Sequence, residues 1–154
     1  MNEEHKNPIP AVDIVIEENS RILLVRRKYE PFKDHLEPPG GFVDEGEKVE
    51  DAAIREVREE TSLDIELVDI LGVYSDPKRD PRGHTVSTVF IAKAIHNNNG
   101  KIKAVPNDDA AEIKWLSIDS VDKEKLGFDH RLILSDYKRW KKFGGTFWSS
   151  KSKL

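Results

Sequence analysis

Two adjacent segments constrain the fold of this chain more than any other part of its sequence. Residues 29–41 contain three prolines and two glycines, which exclude a regular helix there. Residues 48–61 contain neither glycine nor proline and are rich in good helix formers. The sequence therefore predicts an irregular or extended segment that leads directly into a helix.

The remaining pattern alternates short strands with helices. Five β-branched or apolar runs are predicted to be strands, at residues 11–16, 22–25, 65–74, 85–95 and 112–118. A second helix is expected over 129–142, ended by Gly144-Gly145, and turns are expected at Asn19-Ser20 and at 97–100. This order predicts an α/β fold in which a mixed sheet carries helices on both faces.

The composition indicates a single globular domain of 154 residues, with 37% hydrophobic and 35% charged residues. No apolar run approaches the roughly 18 residues of a membrane span, and no apolar stretch near Met1 resembles a secretory signal. The absence of cysteine excludes disulfides and thiolate metal sites and fits a cytoplasmic protein. We expect no membrane partner and, with a net charge of −4, no nucleic-acid partner.

The predicted helix at 48–61 collects carboxylates on or near its apolar face. On a helical wheel, Glu60 falls between Val49 and Ala53, within the arc expected to be buried. Glu56 and Glu59 lie beside that arc, because positions three or four apart share a face. Like charges gathered at low dielectric are costly unless a cation joins them.

A hard divalent cation such as Mg²⁺ is the partner that carboxylate oxygens suit best. The alternative is a solvated acidic helix with Arg55 and Arg58 as its partners. The residues before the helix favour the metal site, since Gly40-Gly41 allows close approach of the backbone to a ligand. Glu47, eight positions before Arg55, could pair with it and clamp the loop against the helix.

The spacing of these residues resembles the box of the Nudix hydrolase family, G-x5-E-x7-R-E-U-x-E-E-x-G-U, where U is a bulky apolar residue. Here the run is Gly41, five residues, Glu47, seven residues, and then Arg-Glu-Val-Arg-Glu-Glu-Thr-Ser-Leu at 55–63. Every fixed position matches except the last glycine, which is Ser62. That substitution bears on the end of the helix rather than on its glutamates.

The resemblance implies an α/β/α sandwich over roughly residues 10–142 and a division of roles among the box residues. Mg²⁺, for which Mn²⁺ can substitute, would be held by Glu56, Glu59, Glu60 and the backbone carbonyl of Gly40. Glu47 and Arg55 would hold the geometry of the loop and the helix. The general base stays open between a helix glutamate and a late loop acid, with Asp108, Asp109 and Glu112 as the candidates.

A second resemblance narrows the substrate, which is expected to be a small nucleotide. Pro77 lies fifteen positions after Ser62, and a proline at this spacing marks ADP-ribose pyrophosphatases of the family. The segment that follows is similar to that of ADP-ribose hydrolases and ADP-ribose sensors, and it offers Arg79, Arg82 and His84 as candidate contacts to phosphate or ribose.

Outside that segment, Arg27 is the candidate for a phosphate contact, because related enzymes place a basic residue there. A tryptophan that many relatives carry near His35 is absent, so Tyr29 or Phe32 is left to stack on a base or to pack in the core.

The resemblance implies hydrolysis of ADP-ribose to AMP and ribose 5-phosphate as the reaction. An oxidised nucleoside triphosphate or a dinucleotide is the alternative substrate, and a noncatalytic ADP-ribose sensor is the alternative from another class. A monomer and a homodimer both stay open. The basic, aromatic run at 139–143 is interpreted as part of an amphipathic helix, and the pattern assigns no role to the Ser/Lys-rich tail that contains Trp148.

Overall fold

The computed structural model describes residues 5–96, 104–106 and 110–153. The turn predicted at 97–100 and the candidate bases Asp108 and Asp109 lie outside these residues. The strands are β1 Ile9–Glu18, β2 Arg21–Arg27, β3 Leu36–Glu37, β4 Gly40–Phe42, β5 Ile65–Tyr74, β6 Thr85–Ala94, β7 Ala110–Ser117 and β8 Phe147–Trp148. The helices are α1 Val49–Thr61 and α2 His130–Phe143, with short 3₁₀ turns at Ser120–Lys123 and Lys151–Lys153.

The strands form a mixed sheet whose centre is the parallel pair of β1 and β6. Along the main path the strands follow the order β3-β2-β1-β6-β5-β8, while β4 pairs with β1 and β7 pairs with β2. β1 also contacts β2 and β4 in antiparallel fashion, and β5 is antiparallel to β6 but parallel to β8. This topology brings β1, β4 and the start of α1 together.

Hydrophobic clusters lie on both faces of the sheet, one under each helix. Successive residues of a strand point to opposite faces, so Val15 joins one cluster whereas Ile14 and Ile16 join the other. The helix residues of the clusters are Ala52, Ala53 and Val57 of α1, and Ile133, Leu134 and Tyr137 of α2. The fold is therefore the α/β/α sandwich around a mixed sheet that the sequence predicted.

The longer predicted elements are confirmed to within about two residues at each end, the usual uncertainty of a boundary. The Asn19-Ser20 turn is also confirmed, because both residues have left-handed backbone angles suited to a two-residue hairpin. β3, β4 and β8 were not predicted, since each has only two or three residues and no alternation that a sequence can show. Within the described residues, neither helix has the length and apolar character needed to cross a bilayer.

The end of α1 shows how the chain accommodates serine at the position of the missing glycine. Ser62 adopts the left-handed conformation, with φ of 63°, and its backbone N–H donates to the carbonyl oxygen of Arg58. A left-handed cap of this kind favours glycine, because a Cβ atom there crowds the backbone. The helix therefore ends where the box places its glycine, at a cost in backbone strain.

Replacing Ser62 by glycine should stabilise the protein, because the relief of left-handed strain exceeds the added entropy of the unfolded chain. We expect Ser62→Gly to raise the free energy of unfolding by about 0.5 kcal/mol in urea titrations. The matched control is Ser135→Gly, at an exposed right-handed position of α2, which should lower it by roughly the same amount. Equal losses in both variants would contradict the strain at Ser62.

Candidate active site

A cleft of about 440 Å³ opens where residues of β1, β2, β4, α1, the loop after β5 and the start of α2 come together. Two glutamates of α1, Glu56 and Glu60, line it, and so do three arginines, Arg27, Arg79 and Arg82. Its volume is in the range of cavities that hold small-molecule ligands. The cleft thus combines carboxylates that suit a cation with guanidinium groups that suit an anion.

Arg55 ties the loop before α1 to the carboxylates of the helix. Its guanidinium donates to both carboxylate oxygens of Glu47, at 2.7 and 2.9 Å, and to the carbonyl oxygen of Phe42 at 3.0 Å. The same group donates to Glu56 at 2.8 Å and to Glu59 at 3.1 Å. One side chain therefore sets the distance between the loop, β4 and the acidic face of α1.

The hydrogen bonds between Glu47 and Arg55 lower the pKa of the glutamate and raise the pKa of the arginine. Donation from Arg55, helped by the backbone N–H of Asp44, lowers the pKa of Glu47 to about 2. Hydrogen bonding to Glu47 in turn raises the pKa of Arg55. The pair therefore stays charged over the whole physiological range.

Gly40 and Gly41 are required by close contacts rather than by unusual backbone angles. A Cβ atom at Gly41 would lie 2.4 Å from the carboxyl carbon of Glu56. One at Gly40 would lie 2.3 Å from the carbonyl oxygen of Val12. A side chain at Gly40 would push β4 away from the backbone of β1, and one at Gly41 would displace the carboxylate of Glu56, so the double glycine lets that glutamate approach the sheet.

Glu60 is the least compensated carboxylate of the cleft. It is 9% exposed, and its Oε2 atom has no hydrogen-bond partner among the described residues. Burial raises its pKa well above the usual value, and the neighbouring carboxylates of Glu37 and Glu56 raise it further, although the backbone N–H of Gly40 opposes the shift. A buried acid in this state is destabilising unless a cation or a proton joins it.

These donors fit a hard divalent cation, although they do not form a finished cage. Among the described residues, no group of three or more carboxylates or imidazoles has the arrangement of a metal site. Glu56 and Glu59 both accept hydrogen bonds from Arg55. The fit rests instead on the unpartnered oxygen of Glu60, beside Glu56 in the same cleft.

Arg27 is held firmly in the cleft. Its Nη1 atom donates to both carboxylate oxygens of Glu37 at 3.0 Å, and its Nε atom donates to the carbonyl oxygen of Pro31 at 2.7 Å. The guanidinium carbon lies 5.0 Å from the centre of the Phe128 ring. Arg27 is thus fixed in orientation at the wall of the cleft.

Arg82 reaches the same aromatic ring from another direction. Asp80 accepts two hydrogen bonds from its guanidinium, at 2.8 and 3.1 Å. The guanidinium carbon lies 5.1 Å from the ring centre of Phe42 and 5.7 Å from that of Phe128. Phe128, whose φ of 50° is left-handed, therefore contacts two arginines that line the cleft.

Arg79 lies deeper in the cleft, and its guanidinium group is engaged in hydrogen bonds within the protein. It donates to both carboxylate oxygens of Asp129, at 2.8 and 2.9 Å, and to the hydroxyl of Thr85 at 2.8 Å. It also donates to Asp13 at 3.3 Å. These contacts hold the loop after β5 against β1 and the start of α2, so Arg79 serves mainly to position that loop.

Asp13 and His130 form a buried ion pair beside Arg79. Their Oδ1 and Nε2 atoms lie 3.3 Å apart, and Ser87 donates to the other oxygen of Asp13. Burial alone would raise the pKa of Asp13, but His130 and Arg79 lower it to about 2. His130 is 3% exposed, and its Nδ1 atom has no partner within the described structure.

Several residues proposed from the sequence lie away from the cleft lining as the described residues define it. Pro77 and His84 are exposed, and the imidazole of His84 contacts the carbonyl oxygen of Ser75 at 2.9 Å. Glu112 on β7 accepts a hydrogen bond from Arg26 at 3.1 Å. Glu59 is half-exposed beside Arg55 and does not line the cleft.

The two aromatic candidates separate clearly. Tyr29 lines the cleft and is 62% exposed, so its ring is available to a ligand. Phe32 packs against the Phe128 ring, with centroids 4.6 Å apart, and its ring lies so close to Gly127 that a Cβ there would be 2.4 Å away. Phe32 therefore supports Phe128 from the protein side.

Sequence reasoning missed Asp13, Glu37, Phe128 and His130, all of which line the cleft. Asp13 carried a usable signal, because a lone carboxylate interrupts an otherwise apolar strand. Phe128 and His130 carried none, since nothing near them in the sequence indicates that the start of α2 meets β1 and β2.

The fold and the box define a hydrolase of the Nudix type, and comparison with known proteins establishes the family. The NUDIX domain model matches residues 7–137. The chain therefore belongs to the Nudix family, and it is a Nudix hydrolase.

Three relatives illustrate what the chain is similar to. It is 48% identical over 135 residues to an ADP-ribose pyrophosphatase of Methanocaldococcus jannaschii, covering 88% of this chain and 76% of that protein. It is 46% identical over 107 residues to a putative 8-oxo-dGTP diphosphatase of Bacillus subtilis, covering 70% and 64%. A bifunctional NMN adenylyltransferase/ADP ribose pyrophosphatase of Francisella tularensis, solved with AMP and a Mn ion, superimposes with a TM-score of 0.75 at 28% identity, covering 93% of this chain and 44% of that one.

The pairing of Glu47 with Arg55 makes a specific prediction about pH. Because the pKa of Glu47 is lowered in the folded state, its stabilising effect is complete above the unfolded value near 4.5 and is lost as the pH falls towards about 2. We expect Glu47→Gln to be less stable than the wild type above pH 5 in metal-free urea titrations. The difference should shrink steadily below pH 4.5, and a difference that persists at pH 2 would contradict the pairing.

Proposed function

We propose that this chain is a Mg²⁺-dependent ADP-ribose diphosphatase that releases AMP and ribose 5-phosphate. The observation that carries the proposal is the buried carboxylate oxygen of Glu60, which has no partner among the described residues and lies in a cleft that arginines also line. A structural acidic helix would leave its glutamates in water, and Glu60 is not in water. Similarity to an ADP-ribose pyrophosphatase at 48% identity supports the choice of substrate.

In this proposal Glu56, Glu59, Glu60 and the carbonyl of Gly40 hold the metal, and Mn²⁺ can replace Mg²⁺. When bound, such a cation neutralises diphosphate oxygens and activates water for attack on phosphorus. Arg55 keeps Glu56 and Glu59 in place, because it donates to both. Glu60 needs little rearrangement to act as a ligand, since its Oε2 atom has no partner in the described structure to lose.

Arg27 and Arg82 are proposed to bind the diphosphate. Both line the cleft, both are oriented by an acidic residue, and both contact Phe128. Binding an anion between two oriented guanidinium groups offsets its charge without ordering long, mobile side chains at the moment of binding. Among the described residues of the lining, Tyr29 is the most exposed aromatic residue, and its ring can stack on the base.

A glutamate of α1 is the proposed general base, and among Glu56, Glu59 and Glu60 the one most open to solvent is Glu59, although it lies beside Arg55 outside the cleft lining. Its carboxylate is half-exposed, so it can exchange a proton with solvent after each turnover. Glu112 on β7 stays an alternative, because its carboxylate is equally exposed and is likewise engaged by an arginine, Arg26. Asp108 and Asp109 stay predictions from the sequence.

A second substrate class has a specific observation in its favour. Similarity at 46% identity to a putative 8-oxo-dGTP diphosphatase makes an oxidised nucleoside triphosphate the main competitor. One assay separates the two. The pure protein is incubated with Mg²⁺ and, in separate samples, ADP-ribose, NADH, a dinucleoside polyphosphate or 8-oxo-dGTP, and the products are resolved by chromatography. Survival of ADP-ribose while 8-oxo-dGTP is consumed would overturn the assignment.

Glu60→Gln should abolish activity without harming the fold. We expect kcat to fall on the order of 100-fold or more, because a metal ligand is lost. The metal-free variant should be at least as stable as the wild type, since a poorly solvated carboxylate has been removed. Mg²⁺ should raise the melting temperature of the wild type but not that of the variant. Glu50→Gln, on the exposed side of α1, is the control and should match the wild type.

Arg82→Ala should weaken substrate binding more than it slows the chemical step. Loss of a charge-assisted contact to the diphosphate should raise KM roughly tenfold or more while kcat changes little. The matched control is Arg58→Ala, which removes an exposed arginine of α1 that pairs with Asp64 outside the cleft. An unchanged KM in Arg82→Ala would remove Arg82 from the binding site.

A further inference from the structure

The C-terminal tail is a segment that the proposed chemistry does not use, yet it is built into the sheet. We call residues 146–152 the C-terminal clasp. Within it, β8 pairs in parallel with the edge of β5, at Gly72 and Val73, and Phe147 is buried in the hydrophobic cluster under α2. The approach is so close that a Cβ atom at Gly72 would lie 1.9 Å from the carbonyl oxygen of Phe147.

Polar contacts fasten the far end of the clasp to α2. The hydroxyl of Ser152 donates to one carboxylate oxygen of Asp136, and the hydroxyl of Tyr74 donates to the other at 2.7 Å. Asp136 is completely buried. The ammonium group of Lys151 lies 4.7 Å from the ring centres of both Phe147 and Trp148. The tail is therefore held at two points, by β5 and by α2.

Between these two points, Ser149 contacts the start of the loop after β5. Its hydroxyl oxygen accepts hydrogen bonds from the backbone N–H groups of Ser75 at 2.8 Å and of Asp76 at 3.2 Å. These two residues directly follow β5, where the backbone leaves the sheet. One hydroxyl thus satisfies two adjacent donors at the point where the loop begins.

Asp76 connects the contact with Ser149 to the cleft, because it also accepts hydrogen bonds from the next residues of the loop. The carbonyl oxygen of Asp76 accepts a hydrogen bond from the backbone N–H of Arg79 at 2.9 Å, and its carboxylate accepts one from that of Lys78 at 2.9 Å. Arg79 then enters the buried network with Asp13 and Asp129. The direction of the loop at Asp76 therefore determines where Arg79 and the residues after it enter the cleft.

We propose that Ser149 is a positioning residue for substrate binding, and that the C-terminal clasp sets the loop 75–84 so that Arg82 faces the diphosphate. Ser149 would act through the backbone of Ser75 and Asp76 and would touch neither substrate nor metal. The predicted effect on KM rests on the proposed function. The contact between Ser149 and the start of the loop does not, because it can be tested without a nucleotide. We therefore expect that a serine far from the box in sequence affects KM rather than the metal-dependent step.

The test compares Ser149→Ala with Ser150→Ala, its exposed neighbour, and with Ser149→Thr, which keeps the hydroxyl. In amide hydrogen exchange without nucleotide, the Ser75 and Asp76 amides of Ser149→Ala should exchange on the order of tenfold faster. Its KM should rise roughly tenfold with kcat within about twofold, for whichever nucleotide the wild type hydrolyses. Both controls should behave like the wild type.

A second variant, with its substitution on β5, tests the same contact between the clasp and the loop. Gly72→Ala would displace β8 by crowding Phe147 without altering the cleft lining, and it should reproduce the exchange and KM effects of Ser149→Ala. If the Ser75 and Asp76 amides of Ser149→Ala exchange at the wild-type rate, the clasp does not order the start of the loop and the proposal is wrong. Faster exchange with an unchanged KM would overturn its role in substrate binding. A wild type that leaves ADP-ribose intact would refute the proposed substrate alone, because the exchange experiment contains no nucleotide.

Discussion

The guanidinium of Arg55 is the interaction around which the acidic side of the cleft is organised. It joins Glu47 in the loop, Phe42 at the end of β4 and two carboxylates of α1, with each contact at 3.1 Å or less. A lysine could not do this, because a compact ammonium group lacks the fork of donors that reaches several acceptors at once. The spacing of the box therefore has a physical reason, because it brings Glu47 and the glutamates of α1 to the guanidinium group of Arg55.

The cleft also shows how a small domain keeps many charges out of water. On the cationic side, each arginine is oriented by a carboxylate, Arg27 by Glu37, Arg79 by Asp129 and Arg82 by Asp80. Such pairing limits the cost of burial, because the charges are compensated locally. Glu60 departs from this rule, and the departure lies where the family resemblance expects a metal ion. A carboxyl group buried without a partner among the described residues does not stabilise the fold, and this is consistent with the role that we propose for Glu60.

The sequence was most informative where chemistry and secondary structure coincide. The uninterrupted helix at 48–61 was sufficient to predict α1 and its acidic face, and its spacing from Gly41 and Glu47 predicted the family. Ser62 marked the end of the helix correctly, because the residue at that position must be left-handed whichever side chain it carries. The sequence could not show that Asp129 engages Arg79, since this pair joins the loop after β5 to the start of α2, 50 residues further along the chain.

The local sequence by itself determined the longer elements, the layer order and the identity of the box residues, because long helix and strand patterns and the box spacing are properties of neighbouring residues. Only the tertiary structure decided which charged side chains face the cleft and which form ion pairs within the protein. It brought Asp13, Glu37 and His130 beside Glu60, joined Phe128 to the two arginines, and laid β8 along β5. Each of these contacts unites segments far apart in the chain, and their energy comes from burial and charge compensation, which exist only once the sheet has formed.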